Sequence, residues 1–197
     1  MRSANRPEGF AIQTRSVVSL AAAVCLFLAS IEYVIPKPLP FLRVGLANLP
    51  LLIALDLFPA LQFFFLLALK IVGQSLIQGS LFSYPFLFSL CGSLASGAVM
   101  LAARRVLRES SSLIGISILG ALASNLVQLT LARYLVFGRS AWMIAPPFLL
   151  VGLVSSAVLG FLAQIYRDRS AWLRTMFPDL DKKIARSSNL RYDKQNT

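Results

Sequence analysis

Histidine is absent from the 197-residue sequence, and charged residues make up only 14% of it. A soluble domain carries about 25% charged residues, so this chain has too little polar surface to cover a particle in water. Without histidine, the chain also lacks the most common metal ligand and general base. The two cysteines, Cys25 and Cys91, lie within apolar runs, which is typical of small buried residues rather than of a disulfide or a metal pair.

Several motifs of enzymes are missing as well. The sequence has no G-x-x-x-x-G-K-[ST] pattern, so it cannot bind ATP through a P-loop. It also has no D-D-x-x-D pattern that could hold magnesium and a diphosphate. Asp179 and Asp181 are close together, but they lie in a basic tail beside Lys182 and Lys183. No grouping of serine, cysteine and histidine suggests nucleophilic catalysis. We therefore expect a protein that is not an enzyme and that has no cofactor and no metal site.

What the sequence has in abundance is apolar residues, at 57% of the chain. They predict an all-α integral membrane protein, a bundle of about six transmembrane helices, since a helix needs about 17–25 apolar residues to span a bilayer. The expected domains are a cytoplasmic N-terminal segment (1–15), a six-helix transmembrane domain (16–166) and a basic cytoplasmic tail (167–197). The predicted spans are 16–35, 44–58, 59–78, 84–103, 113–137 and 142–166.

The net charge of +11 does not indicate that nucleic acid is a partner. The positions of the basic residues indicate instead how the chain is oriented in the membrane. Eight of the nineteen basic residues follow Tyr166 in the tail, where they are suited to anionic lipid heads. With both termini cytoplasmic, fourteen basic residues lie on the cytoplasmic side and three on the outer side, namely Lys37, Arg43 and Arg139. This bias favours that orientation, and the expected location is the bacterial inner (cytoplasmic) membrane.

Polar side chains inside the predicted spans concentrate in the outer half of the membrane, with Asp56 as the exception. Such residues are costly in lipid and usually face the protein interior or a cavity. One interpretation is a substrate-binding pocket that opens outward for a small polar or anionic solute. The other is that these groups satisfy one another across helix interfaces, with Lys70 paired to Glu32 or Asp56 and Arg133 reaching the outer lipid heads. The predicted site residues are Glu32, Asn48, Lys70, Gln74, Gln78, Ser124, Asn125, Gln128 and Arg133.

Small residues recur every four positions in three of the spans. The stripes are Ser19-x-x-x-Ala23 with Ala21-x-x-x-Cys25-x-x-x-Ala29, Ser89-x-x-x-Ser93-x-x-x-Gly97, and Gly152-x-x-x-Ser156-x-x-x-Gly160. Such stripes let helix backbones approach closely. They indicate either packing within the bundle or a docking face for another membrane subunit.

Three blocks of the sequence resemble a known family. They are "IEYVIPKPLPFLRVGLANL" (31–49), "ALKIVGQSLIQGSLFSYPFLFSLCGSLAS" (68–96) and "GISILGALASNLVQL" (115–129). Together they are similar to the Gx transporter family, also described as heptaprenyl diphosphate synthase component I. The likeness covers about residues 16–166. The third block departs from the family pattern, having Ser124-Asn125 where a His-Asn pair is expected, so no role can rest on an imidazole there.

The resemblance implies a six-helix fold like that of the substrate-binding S components of energy-coupling factor transporters. Such components capture a vitamin or similar micronutrient on the outer side and work with a membrane coupling subunit and two ATPases. The synthase description implies instead a noncatalytic accessory subunit of polyprenyl diphosphate synthesis, and a structural membrane scaffold is a third hypothesis. An outward polar pocket favours the first, a long apolar groove the second, and no cavity the third.

A chain without a nucleotide site needs a driving force from elsewhere to accumulate a solute. A proton relay needs several ionisable groups in series across the membrane, and none of the carboxylates here is predicted at mid-depth. We therefore expect binding by the chain alone and transport only with partner subunits. The expected docking surface is the small-residue face of the first span near the cytoplasm, formed by Ser19, Ala22 and Ala23.

Overall fold

Six α-helices make up most of the part of the chain that the structure, a computed structural model, describes: residues 6–34, 45–107, 112–171 and 173. The helices are α1 (Arg6–Val34), α2 (Leu49–Leu57), α3 (Ala60–Ile77), α4 (Tyr84–Leu107), α5 (Leu113–Ala132) and α6 (Ala141–Arg169). The predicted all-α fold class is confirmed. Five of the helices are long and apolar enough to cross a membrane.

The second predicted span is shorter than a transmembrane helix. It consists of a 3₁₀ helix of 3 residues (Leu46–Asn48) and the 9 residues of α2, which together extend about 20 Å. The hydrocarbon core of a bilayer is about 30 Å thick, so this segment cannot cross it alone. Prolines lie near both ends of the segment: Pro50 is in the first turn of α2, and Pro59 follows Phe58, the residue after α2. The segment is instead packed inside the bundle, where all residues from Pro50 to Leu55 are buried.

The other predicted spans lie close to the observed helices, with extensions at the two ends of the membrane domain. Helix α1 begins at Arg6 and so includes residues assigned to the N-terminal segment, and α6 continues to Arg169. Beyond Ala132, α5 continues as a π-helical turn, Arg133–Phe137. Much of the predicted tail (174–197) and the basic residues Lys37, Arg43 and Arg108 lie outside the described residues.

The distribution of side chains is that of a membrane protein. Large apolar residues point outward on the long helices, for example Phe27, Leu61 and Val154, which are 65%, 83% and 57% exposed. Glu32, Lys70 and several amides are buried in the interior instead. A surface of this kind is suited to lipid, because polar groups there would lose their hydrogen bonds to water.

Cysteine scanning tests the predicted orientation. In a background with Cys25 and Cys91 replaced by alanine, cysteine at Arg139 should react with a membrane-impermeant maleimide added to intact cells. Cysteine at Arg108 should react only after the membrane is opened. Mass-tag shifts on gels report both reactions, and the opposite labelling pattern would place the polar cavity described below on the cytoplasmic half of the membrane.

Candidate polar cavity within the helix bundle

Helix α3 contributes two polar side chains to the interior. Lys70 and Gln74 are four residues apart and therefore share one face of the helix. They are only 4% and 2% exposed. The ammonium of Lys70 donates a hydrogen bond to the side-chain oxygen of Asn48, with 2.5 Å between the two atoms. A buried ammonium thus faces the inside of the bundle rather than lipid.

The segment before α2, residues 45–48, holds the carboxylate of Glu32. The backbone N–H of Gly45 donates to Glu32 Oε1 at 3.1 Å, and Glu32 is fully buried near the end of α1. Gly45 has φ of 85°, a left-handed conformation that glycine adopts without strain. It initiates the 3₁₀ helix that ends at Asn48, so the same short segment contacts both Glu32 and Lys70.

Helix α5 adds a third set of polar groups. Asn125 and Gln128 are 8% and 9% exposed, and Gln128 Nε2 donates to Ser124 Oγ at 2.9 Å. Two glycines on neighbouring helices make room for them. A Cβ atom at Gly92 of α4 would lie 2.6 Å from Gln128 Nε2, and one at Gly152 of α6 would overlap the Asn125 amide.

These groups line one cavity of about 70 Å³. A water molecule needs about 10–15 Å³ of such volume, so the cavity has room for about five water-sized groups. Of the nine predicted site residues, seven line it: Glu32, Asn48, Lys70, Gln74, Ser124, Asn125 and Gln128. The structure thus brings together most of the predicted set, and binding of a ligand by these residues stays a prediction.

Two predicted site residues lie elsewhere. Gln78 caps the end of α3, one turn beyond Gln74, and is not part of the cavity wall. Arg133 is exposed at the end of α5, where its guanidinium lies 5.6 Å from the ring centre of Tyr134 and 5.7 Å from that of Trp142. Aromatic rings beside an arginine are typical of a membrane–water interface, which agrees with the interpretation that Arg133 reaches the outer lipid heads.

Sequence reasoning missed the serines of the cavity wall. Six more of them line it: Ser89, Ser93, Ser96, Ser117, Ser155 and Ser156. Three of these, Ser89, Ser93 and Ser156, belong to the small-residue stripes that suggested packing or docking. The glycines of those stripes do pack closely, since Gly97 faces Leu67 and Phe63. The signal that could have found the serines is that the stripes of α4 and α6 combine glycine with hydroxyl groups on one face.

Gly152 offers a test of the cavity that removes none of its polar groups. We expect Gly152→Ala to displace the Asn125 side chain and to destabilise the protein by about 1–3 kcal/mol through overpacking. Gly115→Ala is the matched control, because its new Cβ would lie 3.6 Å from the nearest atom, Ser112 Oγ. Thermal unfolding of the two purified variants gives the comparison, and equal melting temperatures would mean that α5 and α6 are not in close contact at Asn125.

A cluster of ion pairs lies apart from the cavity. Asp56 at the end of α2 contacts Arg104 Nη2 at 2.5 Å and Arg167 Nη1 at 3.0 Å, and its side chain is 3% exposed. Arg167 also bonds to Asp168. Arg104 and Arg167 belong to the last turns of α4 and α6, so the cluster holds three helix ends together. Asp56 thus has arginine partners at that end of the bundle, whereas Lys70 bonds to Asn48 in the cavity.

An apolar groove of about 280 Å³ lies between α1, α2 and the end of α6. Its wall includes Leu20 and Val24 of α1, Ile53 and Leu57 of α2, and Tyr166 of α6. Its lining residues carry no formal charge. The apolar groove and the polar cavity are therefore concave sites of opposite character.

Comparison with known proteins gives one match. A family model described as heptaprenyl diphosphate synthase component I matches residues 21–166. Comparison with curated proteins and with solved structures finds none that matches. The matched region runs from α1 to Tyr166 in α6 and includes all residues that line the cavity.

Proposed function

We propose that this chain, which belongs to the heptaprenyl diphosphate synthase component I family, is a membrane component that binds a small solute in the polar cavity for its uptake. The observation that carries the proposal is the cavity itself. It gathers a buried carboxylate, a buried ammonium and several amides inside a bundle whose outer surface is apolar. Polar groups at such a depth are costly, and a binding site for a polar solute accounts for them.

Partner subunits are part of the proposal. The sequence has no nucleotide-binding motif, and the resemblance to S components implies a coupling subunit and ATPases. The binding event then needs only this chain, whereas accumulation needs the partners. The test is uptake into proteoliposomes that contain the purified chain alone, using the solute that copurifies with it. Binding without concentrative uptake supports the proposal, and strong uptake driven by a proton or sodium gradient would make the protein a secondary transporter.

The proposed docking surface on α1 is narrower than the sequence suggested. Ser19 and Ala23 are exposed, but Ala22 is only 8% exposed and packs in the apolar core. A bulky residue at Ala22 would therefore disturb folding rather than docking alone.

Ala23 is the better position for a docking test. We expect Ala23→Trp to prevent copurification of partner subunits while solute binding is unchanged, because a large side chain keeps the partner helix away from α1. Ala98→Trp, at an exposed position on α4, is the matched control. Pull-down from membranes with the tagged chain is the measurement. If the Ala23→Trp variant recovered as much partner as the wild type does, this face of α1 would be excluded as the docking surface.

A second candidate function is a noncatalytic accessory role in polyprenyl diphosphate synthesis. The description of the family supports it, and so does the apolar groove, whose volume of about 280 Å³ is larger than that of the polar cavity. A hydrocarbon chain would fit such a groove, since its lining is mostly apolar. Among the described residues that line the groove, none offers a buried polar side chain to a diphosphate, and for that reason we prefer the solute-binding role.

A further inference from the structure

The two charged side chains of the cavity wall have opposite signs. Among the described residues that line the cavity, Glu32 supplies the carboxylate and Lys70 the ammonium, and both are at least nine-tenths buried. Each is held by the segment before α2, through Gly45 and Asn48. The formal charge of the described wall therefore sums to zero, and neither charge is provided in excess for a ligand ion.

Two amides on the wall have polar atoms that the protein leaves without a hydrogen bond. Gln74 Oε1 on α3 and Asn125 Nδ2 on α5 are both buried and have no partner. Leaving such groups unpaired in a buried site costs free energy. Turning either amide by 180° exchanges its oxygen and nitrogen, so the open position of each amide can present either an acceptor or a donor. A ligand that presents both kinds of atom can pair with both amides.

We propose that the ligand of this cavity is a small molecule with no net charge, either uncharged or zwitterionic, that carries both hydrogen-bond donors and acceptors. This inference rests on the proposed function, because it assigns a chemical class to the solute of that same cavity. An ion of either sign would add an unbalanced charge to a buried wall whose described charges cancel, and the cost of removing it from water would not be recovered. A volume of about 70 Å³ limits the part of the ligand that is enclosed to about five non-hydrogen atoms.

Three probes of nearly identical shape and different charge test the inference. Acetamide is neutral, acetate is an anion and acetamidinium is a cation, and each has four non-hydrogen atoms. The full chain in lipid nanodiscs, stripped of copurifying solute, is titrated with each probe to about 50 mM, since so few atoms limit the affinity. Binding is measured by ligand-observed NMR. We expect acetamide to bind at least about tenfold more tightly than either ion. Equal binding of the three, tighter binding of an ion, or no binding of acetamide would overturn the inference.

Two variants test whether the charges of the cavity wall determine which probe binds. Glu32→Gln leaves the wall with one positive charge, and Lys70→Met leaves it with one negative charge. We expect the first variant to change its preference to acetate and the second to acetamidinium, whereas Arg133→Met, a cation outside the cavity, keeps the preference for acetamide. An unchanged preference for acetamide in both cavity variants would contradict the assignment.

The failure of this inference can be separated from failure of the proposed function. If the wild-type protein copurifies with a solute that carries a net charge, the cavity is a binding site and only the charge class is wrong. If no solute copurifies and none of the three probes binds, both proposals fail.

Discussion

Replacing Lys70 with methionine is expected to weaken solute binding by roughly a hundredfold or more, since the loss of a buried, hydrogen-bonded charged group from a binding site costs about 2–5 kcal/mol. Methionine keeps most of the length of the side chain and removes only the ammonium that donates to Asn48. The variant also removes one of the two opposite charges of the described cavity wall, the other being the carboxylate of Glu32. Equilibrium dialysis with the solute that copurifies with the wild-type protein measures the effect.

Arg133→Met is the matched control for this prediction. It removes a cation from the same membrane domain, at an exposed position outside the cavity, and should change the affinity less than about twofold. Gel filtration and helical content of both variants establish that they are folded. A folded Lys70→Met protein with wild-type affinity would make Lys70 a structural residue, and the solute site would have to lie elsewhere.

Neutralising Asp56 is expected to be the most destabilising single change outside the cavity. Asp56→Asn removes the carboxylate that Arg104 and Arg167 share, and breaking a buried ion pair in this way costs about 3–5 kcal/mol. Helices α2, α4 and α6 would lose the ion pairs that hold their ends together. The free energy of unfolding, measured by titration with SDS in detergent micelles, should fall by about 3 kcal/mol.

Asp168→Asn serves as the comparison, because it removes a carboxylate that also bonds to Arg167 but is 38% exposed. Exposed ion pairs contribute about 0–1 kcal/mol, so this variant should unfold almost as the wild type does. If the two aspartate variants had the same stability, the ion-pair cluster would not be what joins the three helix ends.

Much of the fold could be predicted because lipid imposes a simple rule on sequence. Proline and arginine mark several ends of the long apolar helices: α3 begins directly after Pro59, and Arg104 lies in the last turn of α4. The short α2 could not be predicted with the same success, since a helix packed inside the bundle is as apolar as one that faces lipid. Its length was the available signal.

The candidate site was predicted as far as helix periodicity reaches. Lys70 and Gln74 are four residues apart, and Asn125 and Gln128 are three residues apart. The two members of each pair therefore lie on the same face of their helix. Periodicity also argues against Arg133, which is five residues after Gln128 and therefore about 140° around the helix from it. How the helices turn their faces toward one another depends on packing at positions such as Gly92 and Gly152, which the sequence does not reveal.

The location of the bound solute tests the central claim most directly. The two sites to compare are a polar cavity that contains Lys70, Gln74 and Asn125, and an apolar groove between α1, α2 and α6. Electron cryomicroscopy of the wild-type protein, purified with its native solute and bound to a rigid antibody fragment, would show which site is occupied. Solute-binding function predicts density for a small molecule in contact with Lys70 and the two amides. Density for a long hydrocarbon chain in the groove, with only water in the cavity, would contradict it and favour the accessory role in polyprenyl diphosphate synthesis.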